Sequence, residues 1–169
     1  MKKNLVLTGM MGVGKSTIGK ALSKRLLMPF SDIDKIIEKK LGMSIQKIFE
    51  NKGESFFRKL EESVTLHELS KKNIVISLGG GAFTNSTIRK KILATGKSFW
   101  LDLNIILLEK RLTKSRKRPL LEGSNLNESL KKIFKERKSI YAIADYKINC
   151  DKLNQILITN KIIKLYANV

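Results

Sequence analysis

The sequence predicts an α/β fold, a parallel sheet with helices on both faces in three layers, and three observations predict it. Short apolar runs alternate with longer segments of helical period along the whole chain, the pattern of strands joined by crossover helices. A glycine-rich turn, residues 9–14, stands between the first such run and the first such helix, where a phosphate-cradling loop belongs. A β-branched, apolar run then stops at a glycine triplet, Gly79-Gly80-Gly81, as a buried strand entering a tight turn would.

The elements follow in order. Residues 4–8 are apolar enough for a first strand, and residues 15–27 form a helix with Ile18, Leu22 and Leu26 on one face. Pro29 ends it, a short second strand leads to Ser31 and Asp32, and helical period resumes at Asp34 and runs to Leu41. Ser44 is placed to cap a short helix that stops at Gly53, and a longer helix over residues 54–71 carries Phe57, Leu60 and Val64 at core spacing. His67 falls on that face and is expected to pack there. Strands are predicted over 73–78, 98–103 and 146–150, and helices over 85–95, 105–112, 126–144 and 153–166. Residues 113–125 hold Lys114, Arg116, Lys117 and Arg118 ahead of Pro119, then Gly123, Ser124 and Asn125. Such a stretch has no apolar face to bury and reads as a mobile basic loop.

At 169 residues and 42% apolar content the chain supports one domain with its own core. A single cysteine, Cys150, excludes an intramolecular disulfide and a cysteine-built metal site, which fits a reducing cytoplasm. The apolar stretch after Met1 is shorter than a signal-peptide core, and no segment approaches the roughly 20 apolar residues of a membrane span, so no membrane association is expected. The formal charge of +19 raises a nucleic-acid partner. Its excess, however, is lysine spread in doublets such as Lys39-Lys40, Lys71-Lys72, Lys90-Lys91 and Lys131-Lys132. These belong on exposed helix faces, and the surface reads as a solvated basic one that attracts small anions.

Chemistry enters with Gly9-Met10-Met11-Gly12-Val13-Gly14-Lys15-Ser16, a Walker A sequence between strand and helix. Its amides and helix dipole suit phosphate, its lysine reaches the β- and γ-phosphates, and its serine hydroxyl ligates Mg2+. Neither the Asp-x-x-Gly switch nor the Asn-Lys-x-Asp guanine motif of a GTPase is present. Asp102 imitates the acidic end of a Walker B strand but is expected to cap the helix after it. The missing carboxylate is sought in Asp32-Ile33-Asp34, at a strand end near the loop, although the same pair would also cap the following helix. Arg58 stands three and four residues before Glu61 and Glu62, so it has helix-surface partners as an alternative to a ligand.

Taken in order, the Walker A loop, Asp32-Ile33-Asp34, Phe57-Arg58, Gly79-Gly80-Gly81, Arg118-Pro119-Leu120-Leu121, and Glu136-Arg137 with Tyr141 beyond it resemble the shikimate kinase family over residues 4–150. That resemblance implies a P-loop fold of the nucleoside-monophosphate-kinase kind, with five parallel strands in the order 2-3-1-4-5. It also implies a substrate-binding helical region over about 34–62 and a lid over about 113–125. The implied reaction moves the γ-phosphoryl of ATP to the 3-hydroxyl of shikimate, giving shikimate 3-phosphate and ADP on the way to chorismate and the aromatic amino acids.

The same resemblance implies roles. Lys15, Asp34 and Arg118 are the catalytic candidates, with Asp34 on the substrate hydroxyls and Arg118 swinging onto the phosphates as the lid closes. Gly12, Val13, Gly14, Lys15, Ser16, Thr17, Arg111 and Arg118 are the ATP candidates, Arg111 lying against adenine or simply exposed on its helix. Ser16 and Asp32 are the Mg2+ candidates. Asp34, Phe57, Arg58, Gly79, Gly80, Gly81 and Arg137 are the shikimate candidates, with the two arginines gripping a carboxylate. Phe49 resembles a second wall of the ring site but is expected in the core, and the glycine triplet also serves as a strand-to-helix turn. Lys117 and Arg116 are taken as solvated neighbours of Arg118. A cytoplasmic monomer is expected. The rival readings are another P-loop metabolite kinase, resembling gluconate kinases, and a basic nucleic-acid-binding ATPase.

Overall fold

The strands of this chain are short and apolar because the sheet they form is covered by helices, and a parallel sheet so covered leaves little room for polar side chains. The computed structural model describes residues 3–113 and 126–168. Its elements are β1 (Asn4–Thr8), α1 (Lys15–Leu26), β2 (Phe30–Asp32), α2 (Ile33–Leu41), α3 (Ile45–Ser70), β3 (Val75–Ser77), α4 (Ser86–Thr95), β4 (Gly96–Asp102), α5 (Ile105–Thr113), α6 (Leu126–Tyr141), β5 (Tyr146–Asn149) and α7 (Gln155–Ala167), with one 3-10 turn at Ala82–Thr84. The sheet has the order β2-β3-β1-β4-β5, and every pair is parallel. Both the order and the strand count agree with the expectation. No helix among the described residues is long and apolar enough to cross a membrane.

β1 is the centre. Leu5, Val6 and Leu7 are fully buried, and the strand is paired on both sides, to Val75–Ser77 and to Gly96–Trp100. Asn4, the one amide in this strand, is also buried; its Nδ2 donates to the Leu69 and Lys71 carbonyls at 3.3 and 2.7 Å and its Oδ1 accepts from the Ile74 amide at 3.3 Å. A polar residue thus satisfies the backbone where α3 turns into β3. Helix starts are set by the caps that the sequence offers. Ser44 accepts from the Lys47 amide at 3.3 Å, Asn85 from Thr87 and Ile88 at 2.8 and 3.1 Å, and Asn154 from Leu157 at 2.9 Å. Asn154 is why α7 begins at Gln155 and not at Leu153. Helix α3 is interrupted at Gly53 (φ 77°, ψ 167°), where the Ser44-capped helix was expected to stop.

Three expectations are corrected. Asp102 does not cap α5: Asn104 does so, accepting from the Ile106 amide at 2.9 Å, while Asp102 pairs with Lys147 on the adjacent strand at 2.9 Å. His67 is exposed, because the buried face of α3 continues through Glu61, Val64, Thr65 and Glu68, and residue 67 lies off that stripe. Thr113 is the last residue of α5, and the remainder of the expected basic loop, residues 114–125, lies outside the described residues.

Glu68 joins the far end of α3 to β2. Its buried carboxylate accepts from Ser31 Oγ at 2.5 Å and from Lys71 Nζ at 2.6 Å. Burial pushes this carboxyl up, but the hydrogen bonds from Lys71 and Ser31 and the Lys71 charge outweigh it and hold it below the ordinary value of 4.5. A lowered carboxyl stabilises the fold above its unfolded-state pKa, and that stabilisation is lost as the pH falls through the folded-state value. Glu68→Gln is therefore expected to cost about 1–3 kcal/mol at pH 7 in urea unfolding. The deficit relative to the parent should shrink as the pH is lowered past 4.5; a deficit independent of pH would contradict the ionic origin.

Candidate active site

The turn after β1 is built by glycines that the backbone requires. Gly9 has φ +133°, and a Cβ there would sit 2.5 Å from the Leu101 carbonyl oxygen; Gly12 and Gly14 also have positive φ. Gly14 is the N-cap residue of α1 and supplies no side-chain cap, so the first turn keeps the amide dipole that suits an anion. Lys15 is buried and folds over the loop, its Nζ donating to the Gly9 and Met10 carbonyls at 2.8 and 2.9 Å. Helix α5 backs the same loop: Arg111 Nη1 donates to the Val13 carbonyl at 3.0 Å, and Leu112 lies against Gly12. Arg111 is exposed as expected of its helix position, yet it is fastened to the loop.

Two cavities meet at this loop. The smaller, about 200 Å³, is lined by Gly12, Gly14, Lys15 and Thr17, and the larger, about 510 Å³, by Phe57, Arg58, Glu61, Gly80, Gly81 and Arg137. Ser16, Asp32 and Asp34 line both. Asp32 does cap α2, its Oδ1 accepting from the Lys35 amide at 3.3 Å, but its Oδ2 is buried with no hydrogen-bond partner. A buried carboxylate oxygen left in this state calls for a cation or water. One oxygen of Asp32 thus caps the helix while the residue also lines both cavities.

The larger cavity gathers the remaining candidates. Arg58 is forked between Glu61 (Nη1 to Oε2, 2.7 Å) and Glu54 (Nη2 to Oε1, 3.1 Å), and it lies over the rings of Phe57 and Phe49 at 5.2 and 5.9 Å. Burial alone would lower its pKa, but Glu61 and Glu54 outweigh burial and raise it, so the guanidinium stays charged. Glu62, its other sequence neighbour, bonds to Asn85 instead. Arg137 reaches the glycine turn from α6, its Nη1 donating to the Gly80 carbonyl at 3.1 Å. Gly81 lies against Arg58, where a Cβ would meet Nη1 at 2.6 Å. Thus Asp34, Arg58, Gly80, Gly81 and Arg137 do line one cleft. Gly79 lies behind them, between Asp34 and Glu61. Phe49 departs from its expected core position: it is half-buried, meets the Phe57 ring in a tilted pair at 4.7 Å between centroids, and lines the cleft. Arg118, Lys117 and Arg116 lie outside the described residues.

Glu61 is the site residue that the sequence reading passed over. It is 2% exposed, and its Oε1 is buried without a partner beside Gly79 and Asp34. Burial raises its carboxyl above 4.5 and the nearby Asp34 charge adds to that, while Arg58 pulls the other way and loses. The available signal was its place on the Phe57 and Val64 stripe, where a carboxylate needs a partner inside the fold.

Comparison with known proteins places this fold in a family. The family model described as shikimate kinase matches residues 11–167. The shikimate kinase of Bartonella henselae (strain Houston 1) is 42% identical over 95% of this chain and 76% of its own length, and that of Sulfurihydrogenibium sp. (strain YO3AOP1) is 42% identical over 95% and 96%. Among solved structures, the shikimate kinase from Acinetobacter baumannii in complex with shikimate superposes with a TM-score of 0.94 at 33% identity, covering 99% of this chain and 94% of that one.

The glycines can be told apart by what surrounds them. Gly9→Ala places a Cβ on backbone at a positive φ and should cost at least about 2 kcal/mol in urea unfolding. Gly81→Ala displaces only the end of the Arg58 side chain and should cost less than about 1 kcal/mol. Equal losses would contradict the assignment of Gly81 to the cleft wall.

Proposed function

The chain belongs to the shikimate kinase family, and on that premise we propose that its two adjoining cavities hold ATP and shikimate, with the transferring phosphoryl group at the wall formed by Ser16, Asp32 and Asp34. The reaction is ATP-dependent phosphorylation of shikimate, in the pathway to the aromatic amino acids. One observation carries the assignment of groups. Two guanidinium side chains, Arg58 and Arg137, meet at one glycine turn in a cleft that also contains the Asp34 carboxylate and the ring faces of Phe49 and Phe57. A cyclic acid carrying hydroxyl groups matches that polarity, with its carboxylate at the arginines, its ring between the aromatics and its 3-hydroxyl toward Asp34.

In this arrangement the acceptor oxygen forms a bond to the γ-phosphorus as the bond to the bridging oxygen of ADP breaks, and the hydroxyl proton passes to Asp34. No covalent enzyme intermediate is required. Lys15, already held over the loop by the Gly9 and Met10 carbonyls, sits where it neutralises the β- and γ-phosphates, whose oxygens the Gly12, Val13, Gly14, Ser16 and Thr17 backbone cradles. The amides of Gly80 and Gly81 have no acceptor among the described residues, which supports their donating to the acceptor substrate. Arg118 supplies further positive charge from the lid. The attachment of Arg111 to Val13 supports placing adenine on that side of the loop.

The orphaned Asp32 Oδ2 and the Ser16 hydroxyl are hard oxygen donors at the junction of the cavities, and they fit Mg2+. No cluster of three or more histidine, cysteine or carboxylate side chains able to hold a metal occurs among the described residues. One carboxylate and one hydroxyl suit an ion whose remaining ligands are phosphate and water. When bound, the ion neutralises phosphate charge. A lone buried Cys150, with no second cysteine to pair with, supports a cytoplasmic setting. The lysine doublets named above are all exposed, as a solvated basic surface requires.

A coupled ADP-release assay with shikimate and gluconate side by side tests the reading. ADP release dependent on shikimate is expected; stimulation by gluconate, RNA or DNA with none by shikimate would sink it. Lys15→Met should lower kcat by about 10²-fold or more. Arg58→Lys keeps a charge for Glu61 but removes the planar fork, and it should weaken shikimate binding about tenfold in calorimetry with ATP affinity unchanged. Unchanged shikimate affinity would remove Arg58 from the carboxylate site. Asp32→Asn should raise the Mg2+ concentration needed for half-maximal rate.

A further inference from the structure

Tyr141 lies one helical turn beyond Arg137 on α6, so both side chains leave the same face. It is fully buried, and its hydroxyl donates to the Gly80 carbonyl at 2.5 Å. The same carbonyl accepts from Arg137 Nη1 at 3.1 Å. Both lone pairs of one oxygen are then used, one by each residue of the pair. A carbonyl held from two directions fixes the plane of the Gly80–Gly81 peptide, and through that plane the direction of the Gly81 amide. The other side of the phenol touches the nucleotide loop: its oxygen is 4.0 Å from Met10 Sδ, and its ring lies 5.9 Å from that of Trp100, which borders Gly9.

We propose that Tyr141 is a positioning residue for the acceptor substrate, its hydroxyl holding the Gly80 carbonyl so that the Arg137 guanidinium and the Gly81 amide present a fixed array to the substrate carboxylate. The inference rests on the function proposed above. The hydroxyl is available for this at all working pH values, because burial raises the phenol pKa and the nearby Arg137 charge only partly offsets that. Without the hydroxyl, Arg137 retains a bond to Gly80, but the carbonyl rotates about a single contact. The guanidinium then searches several orientations, and the cost falls on binding of the carboxylate rather than on the phosphoryl step.

The test is Tyr141→Phe, which removes one oxygen and keeps the ring against Trp100. Loss of one hydrogen bond of about 1–1.5 kcal/mol corresponds to a shikimate KM raised about tenfold. The ATP KM and kcat should stay within about threefold, and thermal melting should show a folded protein. In an Arg137→Ala background the same change should alter the shikimate KM by less than about twofold, since the two residues act through one array. A shikimate KM unchanged by Tyr141→Phe overturns the proposal. So does a penalty that multiplies independently of Arg137→Ala, or a parallel loss in kcat and both KM values that tracks melting temperature. If the parent enzyme itself shows no shikimate-dependent ADP release, the functional reading has failed and the positioning role falls with it.

Discussion

The contact on which the site depends is between two stretches of backbone. Gly80 lies so close to the nucleotide loop that a Cβ would come within 3.3 Å of the Met11 amide. Its neighbours are equally confined, Gly79 by Glu61 and Asp34 and Gly81 by Arg58. None of the three has a positive φ, so glycine is needed here for room and not for backbone freedom. A turn that only reversed the chain would need one or two such residues. The third is explained by three separate close approaches, to the phosphate loop, to the carboxylates and to the guanidinium. A side chain at Gly80 would press on the Met11 backbone and push the acceptor cleft away from the nucleotide loop, and an in-line transfer tolerates little displacement.

Around that seam the cleft stores its charge in pairs. Burying Arg58 and Glu61 separately would be costly, and together they offset much of the desolvation. The pairing is lopsided: Glu61 stays raised by its burial while Arg58 stays charged. Glu61 Oε1 remains without a partner next to Asp34. Two carboxylates crowd Gly79 on one side and two guanidinium groups line the turn on the other. Such a gradient across a few ångströms suits an acid that also bears hydroxyls, the ligand of the proposed function.

Much of this was legible in the sequence because local chemistry determines it. The strand-loop-helix around Lys15, the cap at Ser44 and the break at Gly53 all act within a few residues of themselves. What was misread depends on partners distant in the chain. Asp102 looked like a cap until Lys147 appeared beside it from the next strand. His67 was assigned to a buried stripe that in fact continues through Glu68, whose partner Ser31 is 37 residues away. Phe49 was expected in the core over a place in the cleft wall, and its half-buried position beside Phe57 and Arg58 depends on how the helix packs, which local sequence does not show. Glu61 was treated as a surface partner for Arg58, since nothing local distinguishes a carboxylate facing water from one facing Gly79 across the fold.

A helix-surface ion pair and a substrate contact were competing explanations in the sequence, yet the structure has Arg58 paired with Glu54 and Glu61 while lining the cleft. A guanidinium carries five donors in one plane, and two acidic neighbours do not exhaust them. An unpaired arginine on so long a side chain would lose rotamer entropy on meeting a ligand. One already held by a carboxylate that is itself buried would lose less, so under the proposed function Glu61 prepares Arg58 for the substrate and does not compete with it.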